Sequence, residues 1–343
     1  MTEEYSLPLS GTHPQSAPVR GPHIRRVRRC GAVVLTLLAV PLIAWGGLAG
    51  WTRINSWRAQ RWMRAQPFTA EGVRKGCDAY TVGRGDCALL FVHGFADSPA
   101  VFANMAAELA GRGFTCRVML LPGFGRTPAA LSDVTLDDWK ASVTAEARRL
   151  RRAHREVWII GHSLGATVAL ESVADTPDLA DGMALLAPLV GVSSARSPIL
   201  PAQAWYRIAS AVLPEGAVVY NALPIDVMDD KARSYSLRDC YFPLHVYGEV
   251  FKAAERMNAS ARQRVRVPVL VVLPARDRVT DRGMSVRLFE SPGLPGNEVL
   301  RLSRSGHVVP LDAEWRLVAD AIARLVRESE IGEARAPRPP GSA

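Results

Sequence analysis

Cysteine is scarce in this sequence, with five residues in 343, and no two of them form a CxxC pair. Zinc sites and thioredoxin-like redox sites use paired cysteines at that spacing, so neither kind of site is expected. Cys77 and Cys87 flank a predicted turn and would be able to form a disulfide in an oxidising compartment. The alternative, which we favour, is two small buried residues.

The sequence also has no DNA- or RNA-binding motif, although its net charge is +9. The arginines are spread along the whole chain. Their densest interior run, residues 148–155, falls at the end of a predicted helix, where it complements the helix dipole and faces solvent. We therefore expect no nucleic-acid partner. Composition is ordinary for a folded protein, except in a basic leader at 1–29 and a tail at 329–343, both predicted to be disordered.

Residues 31–51 hold no charged side chain, and a bilayer core needs about 20 apolar residues in a helix. Arginines flank this run, and tryptophans alternate with arginines after it, as at a membrane interface. We expect an uncleaved transmembrane anchor at 30–52 and a juxtamembrane segment at 53–76. The alternative is a cleaved signal peptide, with a small-residue site at 47–49. The charge bias predicts that the part of the chain after the anchor lies on the non-cytoplasmic side of a bacterial inner membrane.

After residue 77, short apolar runs alternate with amphipathic stretches, which predicts an α/β fold with a mostly parallel sheet flanked by helices. The core covers 77–190 and 266–328. Predicted strands are Ala88–Val92, Thr115–Leu120, Val157–Ile160, Met183–Leu186, Pro268–Leu273 and Glu298–Leu302, and predicted helices are Pro99–Gly111, Thr135–His154, Leu164–Ala174 and Ala313–Arg327.

The stretch 191–265 breaks this alternation. It contains five prolines between 198 and 243, together with helical pieces that carry tryptophan, tyrosine and phenylalanine. We interpret it as an inserted helical lid rather than a second sheet domain.

The central motif is Gly-His-Ser-Leu-Gly at 161–165, which follows a buried strand and precedes a helix of small residues. This strand–turn–helix context is the one that a nucleophile elbow requires, so Ser163 is the predicted nucleophile. A His-Gly-Phe turn at 93–95 follows an earlier strand. The backbone N–H groups of Phe95 and Leu164 are the predicted oxyanion-hole donors. His93 in that turn is expected to pack and hydrogen-bond locally.

A nucleophilic serine needs a base, and the base needs an orienting acid. His307 lies in a loop between the last predicted strand and the final helix, so it is the predicted base. Asp277 follows the preceding strand and is the predicted acid, in the chain order Ser, Asp, His. Asp281 is the rival acid, and we expect it to cap the following helix instead.

With these motifs in place, the sequence resembles the α/β-hydrolase superfamily, in the branch of monoglyceride lipases, small bacterial carboxylesterases and serine aminopeptidase-like proteins. The likeness covers about residues 85–328 and rests on LLFVHGFADSP, LPGFGRTP, WIIGHSLGATVAL, VPVLVVLPARDRV and SGHVVPLD. It implies the same triad, the same oxyanion donors and a lid whose last helix begins near Tyr241. Phe124 and Leu273-Pro274 depart from the family pattern, and we expect them to reshape the site mouth.

The predicted function is hydrolysis of a carboxylic ester through an acyl-enzyme on Ser163, without a metal or organic cofactor. The apolar lid and the anchor favour a small-molecule or lipid ester, of the monoacylglycerol type, with an apolar acyl group. Two alternatives stay open. One is a thioesterase or aminopeptidase-like hydrolase that uses the same triad, and the other is an inactive, membrane-tethered binding scaffold.

Overall fold

A computed structural model describes residues 22–197, 199–258, 264–290 and 297–335, and the chain divides between Trp51 and Thr52 into two units. The first helix, α1 (Pro22–Arg64), begins in the first unit and ends in the second. The side chains of 22–39, which include much of the predicted anchor, lie outside the described part. Among the residues that are described, no helix is both long enough and apolar enough to span a bilayer.

The two ends are more helical than the sequence prediction. Residues 22–29, predicted to be a disordered leader, belong to α1, and 329–335 of the predicted disordered tail belong to the last helix. The last helix continues because Ala, Leu, Glu and Arg, which dominate its sequence, all have high helix propensity. Residues 1–21 and 336–343 lie outside the described residues.

The second unit is built on a seven-stranded sheet in the order β1-β3-β2-β4-β5-β8-β9. All neighbours are parallel except β1, which runs antiparallel to β3. A separate antiparallel pair is formed by β6 and β7. The strands are β1 (Tyr80–Val82), β2 (Cys87–Val92), β3 (Thr115–Met119), β4 (Glu156–His162), β5 (Gly182–Leu186), β6 (Val218–Tyr220), β7 (Tyr241–Pro243), β8 (Val269–Pro274) and β9 (Asn297–Leu302).

Helices cover both faces of the sheet, as the sequence pattern predicts. They are α2 (Ala103–Gly111), α3 (Leu136–Arg151), α4 (Leu164–Asp175), α5 (Ala202–Val212), α6 (Leu244–Asn258), α7 (Arg282–Glu290) and α8 (Trp315–Arg335). Short 3₁₀ turns lie at Pro99–Phe102, Pro128–Leu131, Asp230–Ser234 and Val309–Leu311.

Alternate residues of each strand enter the two halves of the core. In β2, Leu90 and Val92 pack with the α3, α4 and α6 side, whereas Leu89 and Phe91 pack with the α2 and α8 side. Because both faces are covered, all six residues of β2 and all seven of β4 are buried. A continuous apolar run is the expected sequence of such a parallel strand.

Part of the insertion at 191–265, which the sequence predicts to be a lid, packs into the core. α6 is part of the helical layer of the core, because Val246, Val250, Ala253 and Met257 are buried in the same cluster as α4. In contrast, every residue of α5 keeps part of its surface exposed. The strands β6 and β7, which the sequence prediction did not include, pair within the insertion.

The described cysteines make no disulfide. Cys77, Cys87 and Cys116 are buried, and Cys240 is half-buried. Both Cys77 and Cys87 are therefore small buried residues, as the preferred interpretation predicts.

Candidate active site

Ser163 lies in the sharp turn between β4 and α4. Its backbone has φ 53° and ψ −117°, a conformation that residues other than glycine rarely adopt. The flanking glycines make the turn possible. A Cβ on Gly165 would lie 2.2 Å from the carbonyl oxygen of Val92, and a Cβ on Gly161 would lie 2.4 Å from Cα of Ala166. The sequence therefore folds here into the sharp strand–turn–helix geometry that the predicted nucleophile elbow requires.

His307 connects the serine to a carboxylate. Its Nε2 lies 2.8 Å from Oγ of Ser163, and its Nδ1 lies 2.8 Å from Oδ2 of Asp277. A carboxylate only accepts hydrogen bonds, so Nδ1 carries the proton and Nε2 is free to accept the serine proton. The three side chains are almost fully buried. The residues that the sequence identified as nucleophile, base and acid therefore form one hydrogen-bonded chain.

Asp277 is held as a carboxylate by its own loop. Its Oδ1 accepts hydrogen bonds from the backbone N–H groups of Val279 and Thr280, at 2.7 and 2.9 Å, and its Oδ2 accepts one from the Thr280 hydroxyl at 2.7 Å. Burial alone would raise the pKa of Asp277. The neighbouring His307 and the hydrogen bonds from Thr280 outweigh burial, so the pKa is lowered from its usual value.

The rival acid, Asp281, has a different position. Its Oδ1 accepts a hydrogen bond from the backbone N–H of Met284 at 2.9 Å, in the first turn of α7. This is the contact of an N-cap residue.

The turn at 93–95 lies directly against the serine. A Cβ on Gly94 would lie 3.0 Å from Cβ of Ser163 and 2.9 Å from Nδ1 of His162, so only glycine fits. Leu164 is the first residue of α4, and the first N–H groups of a helix have no partner within it. The predicted oxyanion donors, Phe95 and Leu164, thus lie on the two segments that border Ser163.

His93 is buried and joins two backbone segments. Its Nδ1 lies 2.9 Å from the carbonyl oxygen of Gly94, and its Nε2 accepts a hydrogen bond from Leu121 N–H at 3.1 Å. Burial lowers the pKa of His93 to about 4, so the ring is neutral near pH 7. Both ring nitrogens are used by the backbone, as expected for a residue that packs locally.

An aromatic cluster lies behind Phe95. The ring centroid of Phe95 is 4.5 Å from that of Phe242 and 5.3 Å from that of Tyr247. Phe124, the first departure from the family pattern, is fully buried in this cluster, 6.0 Å from Phe95 and 5.7 Å from Trp139. Its large apolar ring fills the core, and this accounts for its position.

Charged residues of the insertion, together with Arg74 from the segment before β1, contact the loops near the site. Arg238 donates from Nε to Asp97 Oδ1 at 3.0 Å, two residues after Phe95. Arg74 and Asp239 form a buried ion pair at 3.1 Å, and Asp239 also accepts from Gly125 N–H. The sequence prediction missed these residues, because a single charged residue outside a motif has no local pattern that distinguishes it from a solvent-exposed charge.

Residues 84–313 match the serine aminopeptidase S33 family, which is most of the chain. The chain belongs to this family. It is 22% identical over 250 residues to a thermostable monoacylglycerol lipase from Bacillus sp. (strain H-257), covering 72% of this chain and 93% of that one. It is 22% identical over 253 residues to a carboxylesterase from Bacillus subtilis (strain 168), covering 70% and 92%.

A solved lipase structure has a similar fold. The monoacylglycerol lipase of Paleococcus ferrophilus superposes with a TM-score of 0.63 at 20% identity, covering 73% of this chain and 98% of that one. The chain therefore has the α/β-hydrolase fold, as the sequence motifs predict.

Proposed function

We propose that this chain is a serine hydrolase that cleaves a carboxylic ester, with Ser163 as nucleophile, His307 as base and Asp277 as acid. The observation that carries the proposal is the pair of 2.8 Å contacts that joins the three side chains in this order. The similarity to a monoacylglycerol lipase and a carboxylesterase supports an ester substrate.

The chemistry follows from the positions of the protons. His307 Nε2 takes the proton from Ser163 Oγ as the oxygen attacks the substrate carbonyl, and Asp277 stabilises the imidazolium through Nδ1–H. The imidazolium then protonates the leaving alcohol, and an acyl group remains on Ser163. Water, activated by the same imidazole, attacks this acyl-enzyme and releases the acid. The serine returns to its starting state.

The negative oxygen of each tetrahedral intermediate is assigned to the N–H groups of Phe95 and Leu164. Both lie on segments that border Ser163, and the N-terminus of α4 adds the positive end of a helix dipole. Donors fixed by backbone need no reorganisation when charge develops. A variant of the Phe95 side chain is therefore expected to change substrate packing more than oxyanion stabilisation.

We propose an apolar acyl group, with the part of the insertion that precedes α6 as the lid over it. Phe95 extends from the oxyanion turn into the aromatic cluster with Phe242 and Tyr247, so the wall beside the reacting carbonyl is apolar. α5 carries Trp205, Ile208 and Val212, each about half exposed, at the spacing of one helix face. Turnover of p-nitrophenyl esters from acetate to palmitate tests this. An optimum at medium or long chains supports it, and acetate preference contradicts it.

A second candidate is an amide or thioester substrate, because the matching family is that of a serine aminopeptidase. Esters, thioesters and N-terminal amides with one common acyl group separate these functions. The ester proposal predicts the highest kcat/KM for the ester and negligible release of an N-terminal amino acid. Faster cleavage of a peptide would replace the ester proposal.

Membrane attachment is a separate proposal from the sequence. The uncharged run at 31–51 and the exposed side chains of Leu42, Ile43 and Trp45 support it. Fractionation of cells that express the full chain, with an alkaline carbonate wash of the membranes, is the test. Protein that stays in the washed membranes supports an anchor, and release into the supernatant contradicts it. Protease treatment of spheroplasts then reports the side on which the catalytic domain lies.

A further inference from the structure

A carboxylate from the insertion contacts both the acid loop and the base loop of the site. Asp226 is 7% exposed, and its Oδ2 accepts hydrogen bonds from the backbone N–H of Arg278 at 2.9 Å and of His307 at 3.1 Å. Arg278 directly follows Asp277. The same oxygen therefore binds the backbone at the base and next to the acid.

The backbone of Asp226 adds a further contact. Its carbonyl oxygen accepts a hydrogen bond from Val308 N–H at 3.1 Å, and a Cβ on Gly306 would lie 2.8 Å from that oxygen. The residues on both sides of His307 thus pack against Asp226. Glycine at 306 permits the close approach.

The segment that carries Asp226 is itself fixed from the opposite side. Asp312, which is fully buried, accepts hydrogen bonds from the N–H groups of Met228 and Asp229 at 2.8 Å, and from Gly306 N–H at 2.7 Å. Two carboxylates, those of Asp226 and Asp312, therefore connect the insertion to the base loop by hydrogen bonds. Arg196, also from the insertion, lies 4.0 Å from Asp226 Oδ1 and partly balances its charge.

Another link between the two loops lies further from the reacting groups. Arg276 N–H donates to the carbonyl oxygen of Ser305 at 3.2 Å, one residue before the acid and two before the base. Asp226 differs because it binds His307 itself. A shift of its carboxylate would therefore move the backbone that carries the imidazole.

We propose that Asp226 is a positioning residue for the triad, acting through the backbone of His307 and Arg278 and not on the substrate. This role rests on the proposed function. Misplacing a catalytic group by about 1 Å costs up to about 100-fold in rate, because the reacting atoms leave their in-line geometry. Loss of the acceptor should therefore lower kcat and leave KM nearly unchanged.

Three substitutions separate position from charge. Asp226→Ala removes the acceptor, Asp226→Asn keeps an acceptor oxygen without the charge, and Asp226→Glu keeps the charge but moves the oxygens by about 1.5 Å. We expect kcat to fall about 10- to 100-fold in the Ala and Glu variants. The kcat of the Asn variant should be about 5-fold or more above that of the Ala and Glu variants. Asp230→Asn is the matched control, since Asp230 is an exposed carboxylate of the same segment.

The readouts are kcat and KM on one p-nitrophenyl ester, together with the rate constant and final stoichiometry of fluorophosphonate labelling. The proposal predicts a labelling rate constant that falls with kcat, complete final labelling and an unchanged Asp230→Asn control. Wild-type kcat in the Ala and Glu variants overturns the proposal. So does a smaller labelled fraction with an unchanged rate constant, which is the result of partial unfolding.

If the Ala variant does not fold, the contrast between Asn and Glu decides the question. Equal activity of these two variants contradicts a role that depends on oxygen position. The wild-type protein distinguishes the two proposals. Absence of wild-type labelling and turnover rejects the proposed function, whereas an active wild type with equally active Asp226 variants rejects only the positioning role.

Discussion

The side chain of His162, the residue before Ser163, donates a hydrogen bond from Nε2 to the carbonyl oxygen of His307 at 3.0 Å. Its Nδ1 faces Asp97 Oδ2 at 3.6 Å, and Asp97 in turn binds Arg238 of the insertion. The elbow, the turn after β2 and the base loop are therefore joined behind Ser163. As its place in the motif suggests, His162 points away from the serine and supports the site from below.

Asp277 and Asp281 offer a matched test of the acid. Asp277→Asn should lower kcat by about 10³ to 10⁴, because an amide in this place favours the wrong tautomer of His307. Asp281→Ala should retain kcat. Its unfolding free energy should fall by about 1 kcal/mol, the usual cost of losing a helix cap. Ester turnover and urea unfolding of both variants are the measurements. An inactive Asp281→Ala with an active Asp277→Asn would reverse the assignment.

Gly165 is predicted to be irreplaceable in the elbow. Gly165→Ala would place a methyl group 2.2 Å from the carbonyl oxygen of Val92, so α4 must move away from the sheet. We expect a loss of about 2 to 3 kcal/mol in unfolding free energy, together with loss of turnover. Gly111→Ala is the control, because its Cβ meets nothing within 4 Å at the end of α2. Equal thermal stability of the two variants would show that the elbow tolerates a side chain.

His93 makes stability depend on pH. Burial lowers its folded-state pKa from 6.5 to about 4. The folded state therefore resists protonation, and this contribution is complete above pH 6.5 and is lost as the pH falls through 4. The difference between the two pKa values corresponds to about 3 kcal/mol of unfolding free energy.

His93→Gln does not titrate, so comparison with the wild type isolates this effect. The stability advantage of the wild type over the variant should shrink between pH 7 and pH 4 in urea unfolding. A difference that is constant over this range would mean that His93 is not buried as a neutral ring.

Most of the strands and helices and the candidate site could be predicted from the sequence, because each is marked by a local pattern. A few consecutive residues are enough to predict each of these features: the buried run in β4, the glycines around Ser163 and the loop positions of Asp277 and His307. The short strand β1 was missed, since its three residues depend on pairing with β3 rather than on their own pattern. α6 was interpreted as a lid helix because its aromatic residues do not reveal which layer they pack against.

Asp226 could not be predicted for a different reason. Its function in the fold depends on two backbone N–H groups that lie 52 and 81 positions away in the chain. A single aspartate in a proline-rich insertion resembles a solvent-exposed turn residue. Only the folded arrangement separates it from Asp230, which is largely exposed.

Fluorophosphonate labelling of the purified protein, beside Ser163→Ala and His307→Ala variants, tests the central claim most directly. The probe reacts only with a serine that a neighbouring base activates, so it reports the chemistry without a choice of substrate. The account predicts stoichiometric labelling of the wild type, no labelling of Ser163→Ala and labelling at least about 10³-fold slower for His307→Ala. A folded wild-type protein that neither reacts with the probe nor turns over any ester would contradict it.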